Sequence, residues 1–339
     1  MKKFKLGLAM LLSMLFLIGC GGKKDGGDTS AKTYEVYLGC DNAEDSVTYL
    51  LLDKFATLME EKSDGRIVAK RFSNAKLGGD VELIEGAQNG QVTFVVQNTA
   101  PQVNFIPEVG IFDLPMVFPN IEVARKVLDG PLLDKLKEYY AKQNIKLFGY
   151  GDQGFRQMTS NRRVDSYADL KGQKIRTMSN PNHIEFWKAV GANPTPMAFS
   201  ELYIGLQQGV VDAQENPLET TIATKLYEQQ KYVIMTNHVI HAVALIGSPK
   251  AIEQMPKDLQ VIIDEAAAEA LAWSRKIADE RVDGRVKIIA DSGTEIVPFN
   301  ETLYNEMKNA GKPIYKLVAD KIGADLVELI QSEVEKVSK

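Results

Sequence analysis

Side chains that bind metals or form cross-links are scarce in this sequence. Its 339 residues include three histidines and two cysteines, Cys20 and Cys40. A structural zinc site takes four clustered Cys or His ligands, so this scarcity argues against one, and no metal or cofactor is expected. An excess of positive charge is also missing. Lys plus Arg total 40 against 45 acidic residues, a net charge of −5. A nucleic-acid binder carries a basic footprint, and no nucleic-acid partner is expected here. The chain contains neither a G-x-S-x-G elbow nor an H-E-x-x-H pair, so hydrolytic machinery of either kind is not visible. What remains is an ordinary globular composition, 45% hydrophobic and 25% charged. Its length suggests more than one lobe.

One segment departs from that average. Lys2, Lys3 and Lys5 precede an apolar run from Leu6 to Ile18. The run is too short to span a bilayer and reads as a secretory signal. It ends Leu17-Ile18-Gly19-Cys20, which resembles a bacterial lipobox, so residues 1–19 are expected to be a lipoprotein signal peptide and Cys20 the lipidated residue. The Gly-rich polar stretch that follows, 20–32, reads as a flexible tether. With Cys20 acylated, Cys40 has no partner in the chain, and the fold must hold without disulfides.

Beyond the tether the pattern alternates between strand and helix. Tyr34, Val36 and Leu38 alternate as a strand, and Asp45 or Ser46 can cap a helix with Val47, Leu51, Phe55 and Leu58 on one face. Strands are predicted over 66–72, 92–96, 145–149, 174–177 and 210–213, and helices over 80–89, 121–143, 181–190 and 200–208. Such alternation predicts an α/β architecture with mostly parallel sheets. Residues 257–290 keep helical spacing for about 30 residues, a rod of roughly 45 Å, longer than one small lobe. Gly284 is a place for it to bend.

Gly149-Tyr150-Gly151-Asp152-Gln153-Gly154 matches the dinucleotide pattern G-x-G-x-x-G. A helix should open there, but Phe155 to Asn161 reads as extended, and the glycines are better explained as letting the chain cross between lobes. His238 and His241 lie in an apolar, β-branched stretch, where their spacing puts them on opposite faces of a strand, and they read as structural. Arg156 and Arg176 offer planar forks suited to a carboxylate. Arg176 stands near the end of a predicted strand, where open α/β sheets bind ligands. Asp212 to Pro217 reads as a strand running into a polar turn.

Several of these stretches together resemble the solute-binding proteins of the tripartite ATP-independent periplasmic (TRAP) transporters, in the branch for C4-dicarboxylates and sialic acid. They include Lys76 to Asp80, Asp113-Leu114-Pro115, Gly154 to Arg162, Leu170 to Arg176, Gly191 to Glu201, Asp212 to Pro217 and Met235 to His238. The resemblance implies a periplasmic-binding-protein-like fold: two α/β lobes, a cleft between them, and a long helix spanning both. It puts 33–153 with about 242–281 in lobe I, and about 154–241 with 282–339 in lobe II. It implies a monomeric receptor, not an enzyme, outside the cytoplasm on a lipid anchor. Such a receptor captures an organic acid by lobe closure and delivers it to membrane subunits of the transporter.

The resemblance makes Arg176 the main carboxylate anchor, Arg156 a second cationic contact, Asn216 a hydrogen-bond partner, Phe199 the apolar wall and Asp80 a residue facing the cleft. Glu215, in the same motif as Asn216, joins the expected ligand-binding set. Asp41 and Asn98 replace the Asn and Glu of the sialic-acid subgroup, and point to a smaller or differently hydroxylated acid. A sialic-acid receptor, a receptor for a sensor kinase and an exported sugar-acid enzyme are the alternatives. No paired acid and base supports the enzyme.

Overall fold

The first sheet is built around two strands buried on both faces, Phe94–Asn98 and Ile240–Gly247, whereas Tyr34–Gly39 and Ile67–Phe72 alternate buried and exposed residues. The computed structural model describes residues 32–339, so the signal peptide, Cys20 and all of the tether except Lys32 lie outside the described residues. The strands in chain order are β1 Tyr34–Gly39, β2 Ile67–Phe72, β3 Phe94–Asn98, β4 Lys146–Phe155, β5 Gln157–Ser160, β6 Lys174–Thr177, β7 Asn193–Pro196, β8 Ala213–Asn216, β9 Tyr232–Ile234, β10 Ile240–Gly247 and β11 Glu295–Val297. They form a five-stranded sheet, β2-β1-β3-β10-β4, and a six-stranded sheet, β11-β9-β5-β8-β6-β7. In the first, β1 runs parallel to β2 and β3, while β10 is antiparallel to β3 and β4. In the second, β6 is parallel to β7 and β8, β9 is parallel to β11, and β5 is antiparallel to β8 and β9. The architecture is the two-lobe α/β arrangement expected, with sheets that are mixed.

The helices are α1 Val47–Lys62, α2 Asp80–Asn89, α3 Ile121–Leu128, α4 Pro131–Lys142, α5 Pro181–Ala189, α6 Leu202–Gln207, α7 Leu218–Ala223, α8 Pro249–Ile252, α9 Lys257–Asp291, α10 Glu301–Ile322 and α11 Ala324–Ser338. Ser46 caps α1, its hydroxyl accepting from the Tyr49 amide. The period-2 alternation of β3 divides the core. Phe94 and Val96 join α1 and α9 in one apolar cluster, whereas Val95 joins a second that runs on to Ile175, Trp187 and Ile314. In β10, Val243 and Leu245 face the first cluster, and Ala242, Ala244 and Ile246 face the second.

The long helix α9 has 35 residues, about 52 Å at 1.5 Å each, and passes through Gly284 without interruption. Leu259 to Leu271 pack on the first sheet, and Ile289 packs with Ile222 of α7 and Val233 of β9. The glycine-rich run is strand β4. A Cβ on Gly149 would stand 2.9 Å from Leu271, and one on Gly151 2.9 Å from Ser274. These two glycines therefore let α9 lie close against β4. Gly154, with φ of +73°, turns the chain where it leaves for the second sheet.

Three sequence expectations differ from the structure. Residues 121–143 form two helices, because Gly130 and Pro131 end one and start the next. The strand expected over 210–213 is displaced to Ala213–Asn216, so Glu215 and Asn216 lie in a strand and not in a polar turn. Pairing of Met158 with Glu215 and of Gln157 with Asn216 holds that register. His238 precedes β10, so it and His241 do not occupy two faces of one strand.

Candidate ligand-binding site

Residues at the carboxyl ends of strands from both sheets meet around one cavity, as the crevice rule for α/β sheets leads one to expect. Asp41 follows β1, Asn98 closes β3, and Asp80 opens α2 just after the positive-φ Gly78. From the second sheet come Arg176 of β6, Asn216 at the end of β8, and Phe199 in the turn after β7. These six line the cavity together with His241. It encloses about 330 Å³ between atoms, at the small end of ligand clefts, which run from about 300 to 1,000 Å³. Asp41, Asp80, Arg176 and Phe199 also line a neighbouring hollow, together with Met197 and Ser200. Larger hollows lie elsewhere, for example between α3, α7 and α9, and none of the predicted site residues lines that one.

Arg176 is 1% exposed. Its Nε and Nη2 both donate to the Met197 carbonyl, at 2.9 and 2.7 Å, and Phe199 lies with its ring centre 5.9 Å from the guanidinium carbon. Its Nη1 is buried with no hydrogen-bond partner. Leaving such a donor unsatisfied is costly. Burial lowers the Arg176 pKa to about 10, and the nearby charge of Arg156 adds to that shift.

Asp41 and Asp80 are partly buried on the same cavity. Burial raises both carboxyls above the usual range, Asp41 further because Asp80 is its neighbour. Asp80 Oδ1 accepts from Gln97 Nε2 at 2.7 Å. No other side chain among the described residues hydrogen-bonds to the Asp41 carboxylate. Asn98 uses its Oδ1 on the Ala100 amide and its Nδ2 on the Ala242 carbonyl.

Arg156 and Glu215 are not on the cavity wall. Arg156, alone between β4 and β5, is 1% exposed, and Glu215 is fully buried. They form a bidentate pair, Arg156 Nε to Oε2 and Nη2 to Oε1, with Nη2 also reaching the Glu215 carbonyl and Asn216 Oδ1. All three histidines gather on this pair. His238 Nε2 is 3.0 Å from Glu215 Oε2, His183 Nδ1 is 3.8 Å from Oε1, and His241 Nδ1 is 2.5 Å from Arg156 Nη1. Asp113 receives His183 Nε2 at 3.0 Å. Against the penalty of burial, Asp113 and then Glu215 raise the His183 pKa to about 9. Against the same penalty, Arg156 and the histidines hold the Glu215 carboxyl well below its usual range. Burial depresses His238, and burial with the Arg156 charge depresses His241 much further. The pair thus supports the wall from behind, through Asn216 and His241.

Sequence reasoning missed His241 as a cavity residue. Its only signal was its type, because β10 is buried on both faces and shows no polar alternation. Among the described residues, no group of three or more His, Cys, Asp or Glu is placed to hold a metal ion.

A cavity at strand ends, walled by both sheets and holding one unsatisfied buried guanidinium, suits capture of a small anion. The family model described as bacterial extracellular solute-binding protein, family 7, matches residues 38–321. The chain belongs to this family. A solute-binding protein of Verminephrobacter eiseniae is 36% identical over 254 residues, 74% of this chain and 76% of that protein. The C4-dicarboxylate-binding protein DctB of Bacillus subtilis is 29% identical, covering 85% of this chain and 83% of its own. Among solved structures, the sugar acid binding protein of Advenella mimigardefordensis in complex with galactonate superposes with a TM-score of 0.87 at 33% identity, over 90% of this chain and 99% of that one. The resemblance read from the motifs is correct: this is a TRAP-type solute-binding receptor, in a family of binding proteins whose solved neighbours hold organic acids.

Proposed function

We propose that Arg176 anchors the carboxylate of the bound acid, and that the protein hands the acid to the membrane subunits of its transporter. The observation that carries the anchor is the buried, unpartnered Nη1 of Arg176 on the cavity wall. The Nε side of the guanidinium is spent on Met197, so the carboxylate takes the Nη1–Nη2 end. Desolvating a carboxylate is costly without charged, hydrogen-bonded compensation, and a guanidinium supplies both. Phe199 forms the apolar side of the site, and Asn216, Asp80, Asn98 and Asp41 contact the rest of the ligand. Arg156 acts in this reading as the wall's support and as a longer-range positive charge, and Glu215 as its counter-charge.

Closure between a lobe carrying the first sheet and a lobe carrying the second is the working step, with boundaries near 153 and 242 on the crossing strands and near 281 on α9. Ligand contact with both walls shifts an open–closed equilibrium by its differential affinity. In this proposal the receptor is a monomer held at the outer face of a bacterial membrane by acylated Cys20, with 20–32 as tether. One acyl chain anchors marginally and two hold stably. Release of Cys20→Ser into the soluble fraction is the expected outcome, and retention on membranes counts against the anchor.

The test of function is a thermal-shift screen of organic acids on wild type and on Arg176→Ala. A cognate acid at 100 times its dissociation constant adds about 2.7 kcal/mol of stability. Folded Arg176→Ala that binds that acid within about threefold of wild type, under ~1 kcal/mol, overturns the anchor.

A further inference from the structure

We propose that Asp45, Arg281, Arg285 and Glu219 form a clasp between the lobes, which sets how tightly the receptor holds an acid that none of the four touches. This rests on the reading that the receptor works by lobe closure.

The clasp joins three helices. Asp45 precedes α1, whose Leu51, Leu52 and Phe55 pack with Phe94 and Val96 of the first sheet. Glu219 is in α7, whose Ile222 packs with Val233 of the second. Arg281 and Arg285 are one turn apart on α9 and share a face. Arg285 grips the Glu219 carboxylate with two nitrogens, Nε to Oε2 at 2.7 Å and Nη2 to Oε1 at 3.1 Å, and its Nη2 also donates to Asp45 Oδ2 at 2.8 Å. Arg281 Nη2 donates to Asp45 Oδ1 at 2.7 Å and to the Asp45 carbonyl at 2.8 Å, and lies 3.4 Å from Glu219 Oε1. Each guanidinium thus meets a carboxylate from the side of each sheet, and the two cations balance the two anions.

A neutral bridge runs beside it. Gln153 Nε2 donates to Thr48 Oγ1 at 2.7 Å, and Gln153 Oε1 accepts from Thr220 Oγ1 at 2.9 Å. Thr48 stands three residues after Asp45, Thr220 follows Glu219, and Gln153 immediately precedes Gly154, where the chain crosses to the second sheet. Thr220 also lines the cavity. The connection between α1 and α7 therefore reaches from the cavity wall to the surface.

Burial says which contact is free to open. The Arg285 and Glu219 side chains are 9% and 8% exposed, whereas that of Asp45 is 61% exposed. Arg285 and Glu219 satisfy each other without Asp45, so its contacts add nothing to the second lobe alone. Opening carries Asp45 away from both arginines and into water. An exposed ion pair contributes little and weakens with salt, which suits the task. A strong latch would hold the lobes shut with no acid bound, whereas a weak one leaves the acid to decide. Apparent affinity scales with the population of the binding-competent state. Losing the clasp therefore weakens every acid by one factor, whereas losing a residue of the cavity wall changes their order.

Calorimetry at low salt on the full chain, with D-galactonate, D-erythronate, succinate and orotate, compares wild type with Asp45→Asn and Asp45→Glu. Asp45→Asn is expected to weaken every acid that binds wild type by a common factor of about three to ten, the scale of a few weak ion pairs. Asp45→Glu keeps the charge and is expected to recover most of that loss, and high salt to shrink the difference between wild type and Asp45→Asn. A change below about 1.5-fold, or a change in the order of the acids, overturns the clasp. A purely structural Asp45 would lower the urea midpoint and leave the affinities of the folded protein alone. Small-angle scattering of the acid-free proteins at the same low salt needs no acid to bind. Asp45→Asn is expected to have the larger radius of gyration, and if no acid of the panel binds, equal radii overturn the clasp. Failure of the closure reading looks different: an acid that binds then leaves the wild-type scattering profile unchanged.

Discussion

Arg156 and Arg176 are equally buried, each 1% exposed, and their surroundings differ in kind. Arg156 has a carboxylate, a carbonyl, an amide oxygen and an imidazole nitrogen around it, and every one of its three nitrogens is used. Arg176 has one carbonyl, shared by two nitrogens, and a third nitrogen with nothing. A buried charge is tolerated when paired and hydrogen-bonded and is costly otherwise. One arginine is fully paired within the architecture, and the other keeps a buried nitrogen without a partner, which is the basis for proposing it as the anchor. Residue type and burial alone do not separate the two; the inventory of partners does.

The comparison breaks most visibly at Glu215. Removing it leaves Arg156 as an uncompensated buried charge, deprives His238 of its partner and takes a nearby negative charge from His183. Glu215→Ala is expected to cost about 3–5 kcal/mol of folding stability, as for losing one member of a buried ion pair. Urea unfolding measures it, and a loss below ~1 kcal/mol would show the cluster to be less closely bound than its distances imply.

Arg176→Ala is the mirror case. Binding is expected to fall by about 2–5 kcal/mol, as for truncating one partner of a buried charge pair, while folding stability without ligand is unchanged or rises, since no ion pair is lost. Arg176→Lys keeps the charge but loses the fork and should also bind clearly less well. Calorimetry and urea unfolding on the same variants separate the two effects, and a loss of stability as large as that for Glu215→Ala would erase the distinction.

The cluster around Arg156 also carries a pH signature. His183 titrates at about 9 in the folded protein against 6.5 for an unperturbed imidazole. Its protonation therefore contributes stability that is complete below about 6.5 and is lost as pH rises through 9. The urea midpoint should fall between pH 7 and about 9.5, and His183→Gln should flatten that fall. A midpoint that holds steady in wild type across this range would mean that His183 is neutral in the fold.

The smallest effect expected is at Phe199, whose ring stands beside the Arg176 guanidinium. Phe199→Leu keeps an apolar wall and removes the π-face, and should weaken binding by about 0.5–1 kcal/mol. Titration calorimetry reads this, and no change would make the ring a space-filler.

How far the sequence could be read depended on whether the signal was local. Helix α9 was legible because apolar spacing over more than 30 residues repeats one pattern, and the start of α1 was legible because Ser46 is a cap. The place of Arg176 on the cavity wall was legible because Lys174 to Thr177 reads as a strand and clefts of α/β sheets open beyond strand ends. The break at Gly130-Pro131 was written in two residues and went unread beneath a longer helical pattern. Strand β8 was misplaced because Glu215 and Asn216 are polar residues of the kind found in turns. They enter a buried strand only because Arg156, 59 residues earlier, neutralises one and bonds the other.

Composition and local pattern were therefore enough to indicate an α/β chain with one unusually long helix and a set of motifs that marks its family. These properties depend on neighbours in the chain. The roles of the two arginines and of His241 depend on partners brought from distant segments: Glu215 to Arg156, the Met197 carbonyl to Arg176, and Asn98, 143 residues away, to His241. Hydrogen bonding and burial act through space, so which guanidinium is fully paired and which keeps a nitrogen without a partner was decided only when the two sheets came together around the cavity.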